Sequence, residues 1–361
     1  MKIFNIAVLP GDGIGVDVTL EAVRVLNAVE ERLFGISFEM VEHPCGAGEF
    51  LKNGDPLPES TLEACGSADA VLLGAMGIPD VRWPDGREMT PQIDLRERFQ
   101  LYNGLRPIYL YHESHSPLKG YQTGMIDFVI IRENTEGLFS ARLSKSDPDE
   151  KEVRDVLRIT QVGTERVCRA AYDLAMARRK KLTLVDKANV LPSMVFFRKI
   201  FDEVGKEYPE VETNHVYVDA AALFFVQRPE IFDVIVTENM FGDILSDLAA
   251  GLVGGMGMAP SGDIGEDCAV FQPSHGTAPD IAGKGIANPV ATILSAALML
   301  DWLEHPEATK GAGMIRQAVE QVTADPNNRT TDLGGSVGTT EMGDLVIEAL
   351  PCLASGSQHK I

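Results

Sequence analysis

Residues 234–260 read VIVTENMFGDILSDLAAGLVGGMGMAP, and the rest of the chain is interpreted outward from them. Val234 to Thr237 is a β-branched run of the kind that forms a buried strand. A polar corner, Glu238-Asn239, leads into a helical pattern that closes in a Gly/Met-rich loop. Asp243 and Asp247 are four residues apart, which puts both carboxylates on one helix face. Like charges at that spacing cost a helix about 0.2–0.5 kcal/mol. Two readings account for them: a solvated acidic edge, or a site for a hard divalent cation, which prefers carboxylate oxygens and turns repulsion into attraction. The apolar flank of Met240, Phe241, Ile244, Leu245 and Leu248 weakens the first, and the rest of the chain decides between the two.

Composition narrows the partners. The 361 residues have room for two domains, or for one large core with an insertion, and 45% of them are hydrophobic. No apolar run approaches the 18 or so residues of a membrane span. The start, MKIFNIAVLPGDGIG, enters a strand directly, so no secretory leader is expected. Five scattered cysteines without a C-x-x-C pair suit reduced thiols and a cytoplasmic protein. The net charge of −21 leaves no basic field for a nucleic acid or an anionic membrane, and neither is expected as a partner. A small anion would have to be met by locally concentrated arginines.

Such a concentration exists. Arg96, Arg98 and Arg106 fall within eleven residues, and Arg132 follows the buried strand Phe128 to Ile131. Pro107 keeps Arg106 out of helical geometry, so the helix carrying Arg96 is expected to end near Asn103. These arginines either balance Asp94, Glu97 and Glu133 at the surface or converge on a di- or tricarboxylate, whose oxygens match guanidinium forks. Placement at a strand end favours a ligand, because α/β proteins bind there. Lys187 and Asp219 also follow short strands, Leu182–Val185 and Val216–Val218. Lys187, at a strand end next to an acid, could carry a proton but is a weak signal alone, and Asp219 could simply cap the next helix.

The remaining segments give context. A strand (Ile3–Leu9), the turn PGDGIG and an amphipathic helix from about Val16 to Leu33 open the chain. The spacing of Gly11, Gly13 and Gly15 is not that of G-x-G-x-x-G, and Asp12 would repel a pyrophosphate, so the turn is a tight corner near a ligand rather than a dinucleotide fingerprint. A helix is expected from 56–60 and a buried strand over Ala70–Leu73. The aperiodic loop Ile78–Thr90 has the length of a functional loop. Residues 144–153 read as an exposed arm and the tail from Ala354 as disordered. A helix is expected over Thr164–Arg179. Two helices with loops are expected ahead of Ser274. The loop 274–285, SHGTAPDIAGKG, suits an adenosine ribose held by a carboxylate, and Val290–Leu303 reads as an Ala-rich helix.

Taken together, LPGDGIG, LRERFQLYNGLRP, RENTEG, VDKANVL, NMFGDILSDLAAGLVGG and HGTAPDIAGKGIANP, in that order over nearly the whole length, resemble the metal-dependent β-decarboxylating dehydrogenases. That family includes isocitrate, homoisocitrate, 3-isopropylmalate and tartrate/D-malate dehydrogenases. The resemblance implies an α/β fold of the isopropylmalate dehydrogenase type, two domains around a large mixed sheet, and not a Rossmann fold. It implies a cofactor domain from both chain ends, 1–101 plus 254–361, and a central substrate, metal and dimerisation domain, 102–253. Arg96, Arg106 and Arg132 would hold the substrate carboxylates. Asp219, Asp243 and Asp247 would bind Mg²⁺ or Mn²⁺, and Lys187 would carry the C2 hydroxyl proton. Lys187 and Asp219 reach in from a neighbouring subunit in the family, so a homodimer is implied. NAD would lie on Ile14, His275, Gly276, Thr277, Ala278, Pro279, Asp280 and Asn288. The carboxylate of Asp280 favours ribose hydroxyls over a 2′-phosphate, hence NAD over NADP.

Two features bear on chemistry and substrate. The general acid of the family is usually a tyrosine seven residues after Arg132, and Phe139 stands there without a proton to donate. In the family the segment before Arg96 faces the variable C3 substituent, and here Thr90 and Gln92 make it more polar than an isopropyl group requires. A 3-isopropylmalate-like activity is expected, with tartrate/D-malate, isocitrate and homoisocitrate activities as alternatives.

Overall fold

The computed structural model describes residues 1–143 and 151–351; most of the expected arm at 144–153, and the tail from Ala354, lie outside them. In chain order the elements are β1 (Lys2–Gly11), α1 (Ile14–Glu30), β2 (Ile36–Glu42), α2 (Ala47–Asn53), α3 (Glu59–Ser67), β3 (Ala70–Ala75), α4 (Pro91–Arg98), β4 (Asn103–Tyr109) and β5 (Asp127–Glu133). They continue with α5 (Gln161–Ala177), β6 (Lys181–Asp186), α6 (Pro192–Gly205), β7 (Glu212–Tyr217), α7 (Val218–Gln227), β8 (Val234–Thr237) and α8 (Asn239–Gly251). The chain ends with β9 (Pro260–Ile264), β10 (Ala269–Pro273), α9 (Val290–Trp302), α10 (Pro306–Thr323) and α11 (Thr339–Ala349). No helix among the described residues is long and apolar enough to cross a membrane.

One ten-stranded sheet runs through the molecule in the order β2-β1-β3-β10-β9-β4-β5-β8-β6-β7. The outer strands on each side pair in parallel, and the β10-β9-β4-β5 centre is antiparallel. The sheet is therefore mixed, as expected, and its antiparallel centre rules out a Rossmann arrangement. Side chains alternate across a strand, so Arg106 on β4 and Arg132 on β5 share one face while Leu105, Pro107 and Val129 occupy the other.

The hydrophobic residues separate by chain region. Phe4, Val25, Phe271, Leu300 and Val346, from both chain ends, share one core. Tyr172, Phe197, Phe201 and Val236 share a second, and Phe128, Phe225, Phe232 and Leu252 a third, all from the middle of the chain. Each fully buried aromatic contributes on the order of 1.5–3 kcal/mol.

Several expectations are corrected. The helix carrying Arg96 ends at Arg98, and Asn103 starts a strand, so Arg106 sits inside β4. Arg132 lies within β5 rather than after it. Between α7 and Ser274 there is one α-helix, α8, and the second expected helix is replaced by the hairpin β9–β10. Short, Gly-interrupted strands such as PSGDI carry no period long enough to read.

The opening turn is pinned rather than liganded at Asp12. Its carboxylate accepts from the backbone N–H groups of Ala47 (2.7 Å), Gly48 (2.8 Å) and Gly77 (2.8 Å). Gly13, at φ 58° and ψ −132°, lies where only glycine is comfortable, and a Cβ there would come within 2.2 Å of the Thr277 carbonyl oxygen. Gly35 also has a positive φ, 75°, but open space around it. Gly13→Ala should therefore cost clearly more than Gly35→Ala in urea denaturation, beyond the roughly 1–3 kcal/mol of backbone strain alone. Equal losses would show that the turn is not pressed against the 277 loop.

Candidate active site

A cavity of about 170 Å³ opens where α4, the centre of the sheet, α8 and the loop after β10 meet. Gln92, Arg96, Arg106, Arg132, Asp243, Asp247, His275 and Gly276 all line it. The cavity thus unites the arginines with the paired aspartates and the first residues of the 274–285 loop.

The arginines converge because a buried carboxylate gathers them. Arg96 Nε donates to Asp263 Oδ2 at 2.8 Å and Arg106 Nη2 to Asp263 Oδ1 at 2.9 Å. Asn134 Nδ2 and Gln272 Nε2 add bonds of 2.7 and 2.6 Å to the same group. Asp263 is 1% exposed. Burial alone would raise its pKa, but the charges and hydrogen bonds of Arg96 and Arg106 outweigh that and hold it well below the usual carboxylate range. Arg132 is placed differently. Asn239 Oδ1 accepts from its Nε (3.0 Å) and Nη2 (2.6 Å), and Nη1 pairs with Asp243. Burial, and then repulsion from Arg96, lower the Arg132 pKa to about 10, which still leaves it charged at neutral pH.

Asp243 and Asp247 lie one turn apart on α8, whose N-terminus is capped by the Glu238 side chain accepting from Phe241 N at 2.7 Å. Partial burial and then the Asp243 charge raise the pKa of Asp247, as expected for a like-charged pair. Asp219 does not join them: among the described residues of one chain no cluster of three acidic, His or Cys side chains forms a metal cage. It pairs instead with Lys187 at the ends of β6 and β7, its side chain 68% exposed. The hydrogen bond from Lys187 holds its carboxyl below the ordinary value.

Phe139 does reach the site. It lies in a 3-10 turn, Leu138–Ala141, with its ring 5.1 Å from the Arg132 guanidinium carbon. Gln92 presents a buried Oε1 without a hydrogen-bond partner, whereas the Thr90 hydroxyl accepts from Arg142 at 3.5 Å. The 274–285 loop lies against the opening turn: Ile14 N donates to Thr277 O at 2.9 Å, and Ala278 and Ile281 pack on Ile14. His275 Nε2 is buried and unpartnered among the described residues. Pro279 and Asp280 are exposed. Asn288 is buried, with its amide bonded to Asp332 (3.1 Å) and its carbonyl accepting from Val290 N (3.0 Å). Sequence gives Asn239 only as part of a polar corner, with no role, and does not single out Asp263 or Arg142; Asp263 sits in the unread hairpin, and Arg142 follows the RENTEG motif without a spacing that marks it.

The isocitrate/isopropylmalate dehydrogenase family model matches residues 5–346. The chain belongs to that family. Curated relatives of this dehydrogenase include the 3-isopropylmalate dehydrogenase of Moorella thermoacetica, 46% identical over 95% of this chain and 98% of the relative. That of Aquifex aeolicus is 42% identical over 97% and 98%. Among solved structures, isocitrate dehydrogenase from Methylococcus capsulatus superposes with a TM-score of 0.86 at 37% identity, covering 96% of this chain and 99% of that one. A β-decarboxylating dehydrogenase from Thermococcus kodakarensis gives 0.79 at 39%, covering 96% of both chains.

Asp263 gives the site its own prediction. A carboxylate with a depressed folded pKa stabilises above its unfolded pKa of about 3.9, and that stability is lost as pH falls through the folded value. Asp263→Asn should therefore cost about 3–5 kcal/mol at pH 7, because it leaves two buried guanidinium groups without their counter-charge. The difference from the parent should shrink as pH falls below about 4. Urea titrations of both proteins at pH 7 and pH 3.5 check the sign.

Proposed function

We propose that this enzyme oxidises and decarboxylates a 3-substituted (2R)-malate of the 3-isopropylmalate type, using NAD and Mg²⁺ or Mn²⁺. The observation that carries it is the union of three arginines, two aspartates and the 274–285 loop around one cavity. Charge supports it as well. Three guanidinium groups face three carboxylates, Asp243, Asp247 and the buried Asp263, so a divalent cation and a dicarboxylate entering together leave the site neutral. The pair Asp243 and Asp247 fits a hard cation, since only a positive charge relieves the repulsion between them.

In the proposed reaction, Arg96, Arg106 and Arg132 hold the carboxylates and so orient the C2–H. Lys187, contributed by a second copy of the chain, accepts the C2 hydroxyl proton, and Asp219 of that copy completes the acidic ligands. NAD held by the 274–285 loop would supply the hydride acceptor, and a cation held by Asp243 and Asp247 would supply charge stabilisation for the enolate left by loss of CO₂. The homodimer is supported by exposed apolar side chains on α6, α7 and α8, among them Phe196, Leu223, Val226 and Ile244, and by the outward Lys187–Asp219 pair. The separate cores support a cofactor domain from both chain ends (1–101 and 254–361) and a central domain (102–253). The exposed Asp280 supports NAD over NADP. The described cysteines are unbridged and buried, which suits a cytoplasmic setting.

A second reading concerns the C3 substituent. An isopropyl group would leave the buried Gln92 Oε1 unpaired, at a cost of about 1–3 kcal/mol. A hydroxyl-bearing substituent, as in tartrate, would satisfy it.

A panel of 2-hydroxy acids assayed with Mn²⁺ and either NAD or NADP tests these readings, with the reduced cofactor and CO₂ followed separately. The expected result is NAD-dependent turnover of a malate-type acid; no turnover of any member removes the proposal. Phe139 has no proton for C3, and general acid catalysis typically supplies about 10²–10⁴-fold. Phe139→Tyr should therefore raise CO₂ released per NADH, and an unchanged one-to-one ratio would remove any catalytic meaning from the substitution. Mixing inactive Lys187→Ala and Asp243→Asn protomers should restore part of the activity, because one site of each mixed dimer then carries neither lesion. No recovery after confirmed subunit exchange would put both residues in one chain's site.

A further inference from the structure

Arg142 ties the turn that carries Phe139 to helix α4, which bears Gln92 and Arg96 of the cavity wall. Its Nε donates to Glu97 Oε1 at 2.9 Å, and its Nη2 donates to Glu97 Oε2 at 2.7 Å and to Asp94 Oδ1 at 2.6 Å. Nη1 reaches the Thr90 hydroxyl at 3.5 Å. All three partners lie on α4 or on the residue that precedes it. Helix α4 is anchored on the chain-end side, with Leu95 buried among Leu73, Leu101 and Val270, and with Arg96 held by Asp263. Arg142 follows directly on the turn that carries Phe139, and that turn is fixed from the other side. Gly137 exchanges backbone hydrogen bonds with Arg158, and the Asn239 amide donates to Glu136 O at 2.9 Å.

An isolated exposed ion pair contributes little to stability, because solvent screens it and two long side chains must be ordered. Arg142 differs from that case: its side chain is only 17% exposed, and one guanidinium engages two carboxylates and a hydroxyl. The planar fork meets Glu97 through two donors, an arrangement that a lysine ammonium cannot reproduce. Burial penalises the charge, yet the hydrogen bonds to Glu97 and Asp94 outweigh that penalty and raise its pKa.

We infer that Arg142 is a positioning residue for substrate selection: it docks the Phe139 turn against α4 and thereby fixes where Thr90 and Gln92 stand around the C3 substituent. The inference rests on reading the cavity as the substrate site. Arg142 does not itself line the cavity, so its effect passes through α4 and the turn. Release of the clamp frees the first turn of α4, the segment bearing Thr90 and Gln92, while Arg96 stays tied to Asp263. Binding of the C2 hydroxy acid core is then largely kept, and discrimination at C3 is lost.

Two measurements test this on the full-length enzyme. The first is hydrogen exchange of residues 90–98 without substrate, followed by mass spectrometry. Arg142→Gln should speed exchange there at least fivefold with α9 unchanged, and Arg142→Lys should fall between it and the parent. The second is the ratio of kcat/KM for two 2-hydroxy acids that differ only at C3, one bearing isopropyl and one bearing hydroxyl. Arg142→Gln should shrink that ratio at least fivefold, chiefly through KM, with kcat on the better substrate kept within threefold. Glu97→Gln should reproduce both effects, and the double variant should add little, as expected for partners in one contact. Unchanged exchange over 90–98 overturns the inference, as does an equal loss on both acids. If the parent oxidises neither acid, the proposed function fails by itself, and the exchange result alone then supports or overturns the clamp.

Discussion

The buried carboxylate of Asp263 is the group on which the site depends. Arg96 arrives on a helix and Arg106 on a strand, and two guanidinium groups brought together in a protein interior repel strongly unless a counter-charge lies between them. Asp263 supplies it from β9, at the antiparallel centre of the sheet, and Asn134 and Gln272 satisfy its remaining acceptor capacity. The hairpin β9–β10 therefore does more than extend the sheet. It sets a fixed negative charge beneath the cavity, so that the arginines are held in place before any ligand arrives, which is the condition for binding energy to be directed at the reacting atoms.

The second constraint is charge balance across the cavity. Arg132 leans on Asn239, a neutral acceptor, and on Asp243, which also belongs to the acidic pair. On the proposed reading, a cation held by Asp243 and Asp247 would compete with Arg132 for Asp243 and leave that guanidinium free for a substrate carboxylate. Phe139 against Arg132 makes that corner drier than a tyrosine hydroxyl would, and a dry corner strengthens each of these electrostatic contacts.

The two ends of the chain meet at a contact that is steric rather than electrostatic. The opening turn presses on the Thr277 carbonyl so closely that no side chain fits at Gly13, and Asp12 behind it is occupied by three backbone donors. The 274–285 loop is thereby fixed at its base, while Pro279 and Asp280 at its tip stay open to solvent.

Much of this protein was legible in its sequence, and the reason is local. Strands such as Val234–Thr237, the helical spacing of Asp243 and Asp247, the arginine cluster in an acidic chain and the loop 274–285 each declare themselves within a few residues, where period and spacing carry the information. What escaped depends on partners far away in the chain. Asp263 carries no periodic signal, and its meaning comes from Arg96, 167 residues earlier. Arg142 looks like one more surface charge until α4 is placed beside it. That Asp219 stands outward with Lys187, and not with Asp243 and Asp247 of its own chain, is likewise visible only in space, although the resemblance implied that both serve a neighbouring subunit. The sequence by itself determined most of the elements, the chemical groups and the family, though not the hairpin β9–β10. Only the tertiary structure decided which charges neutralise one another and which remain free for a ligand, because such pairing is a matter of distance in space and not of spacing along the chain.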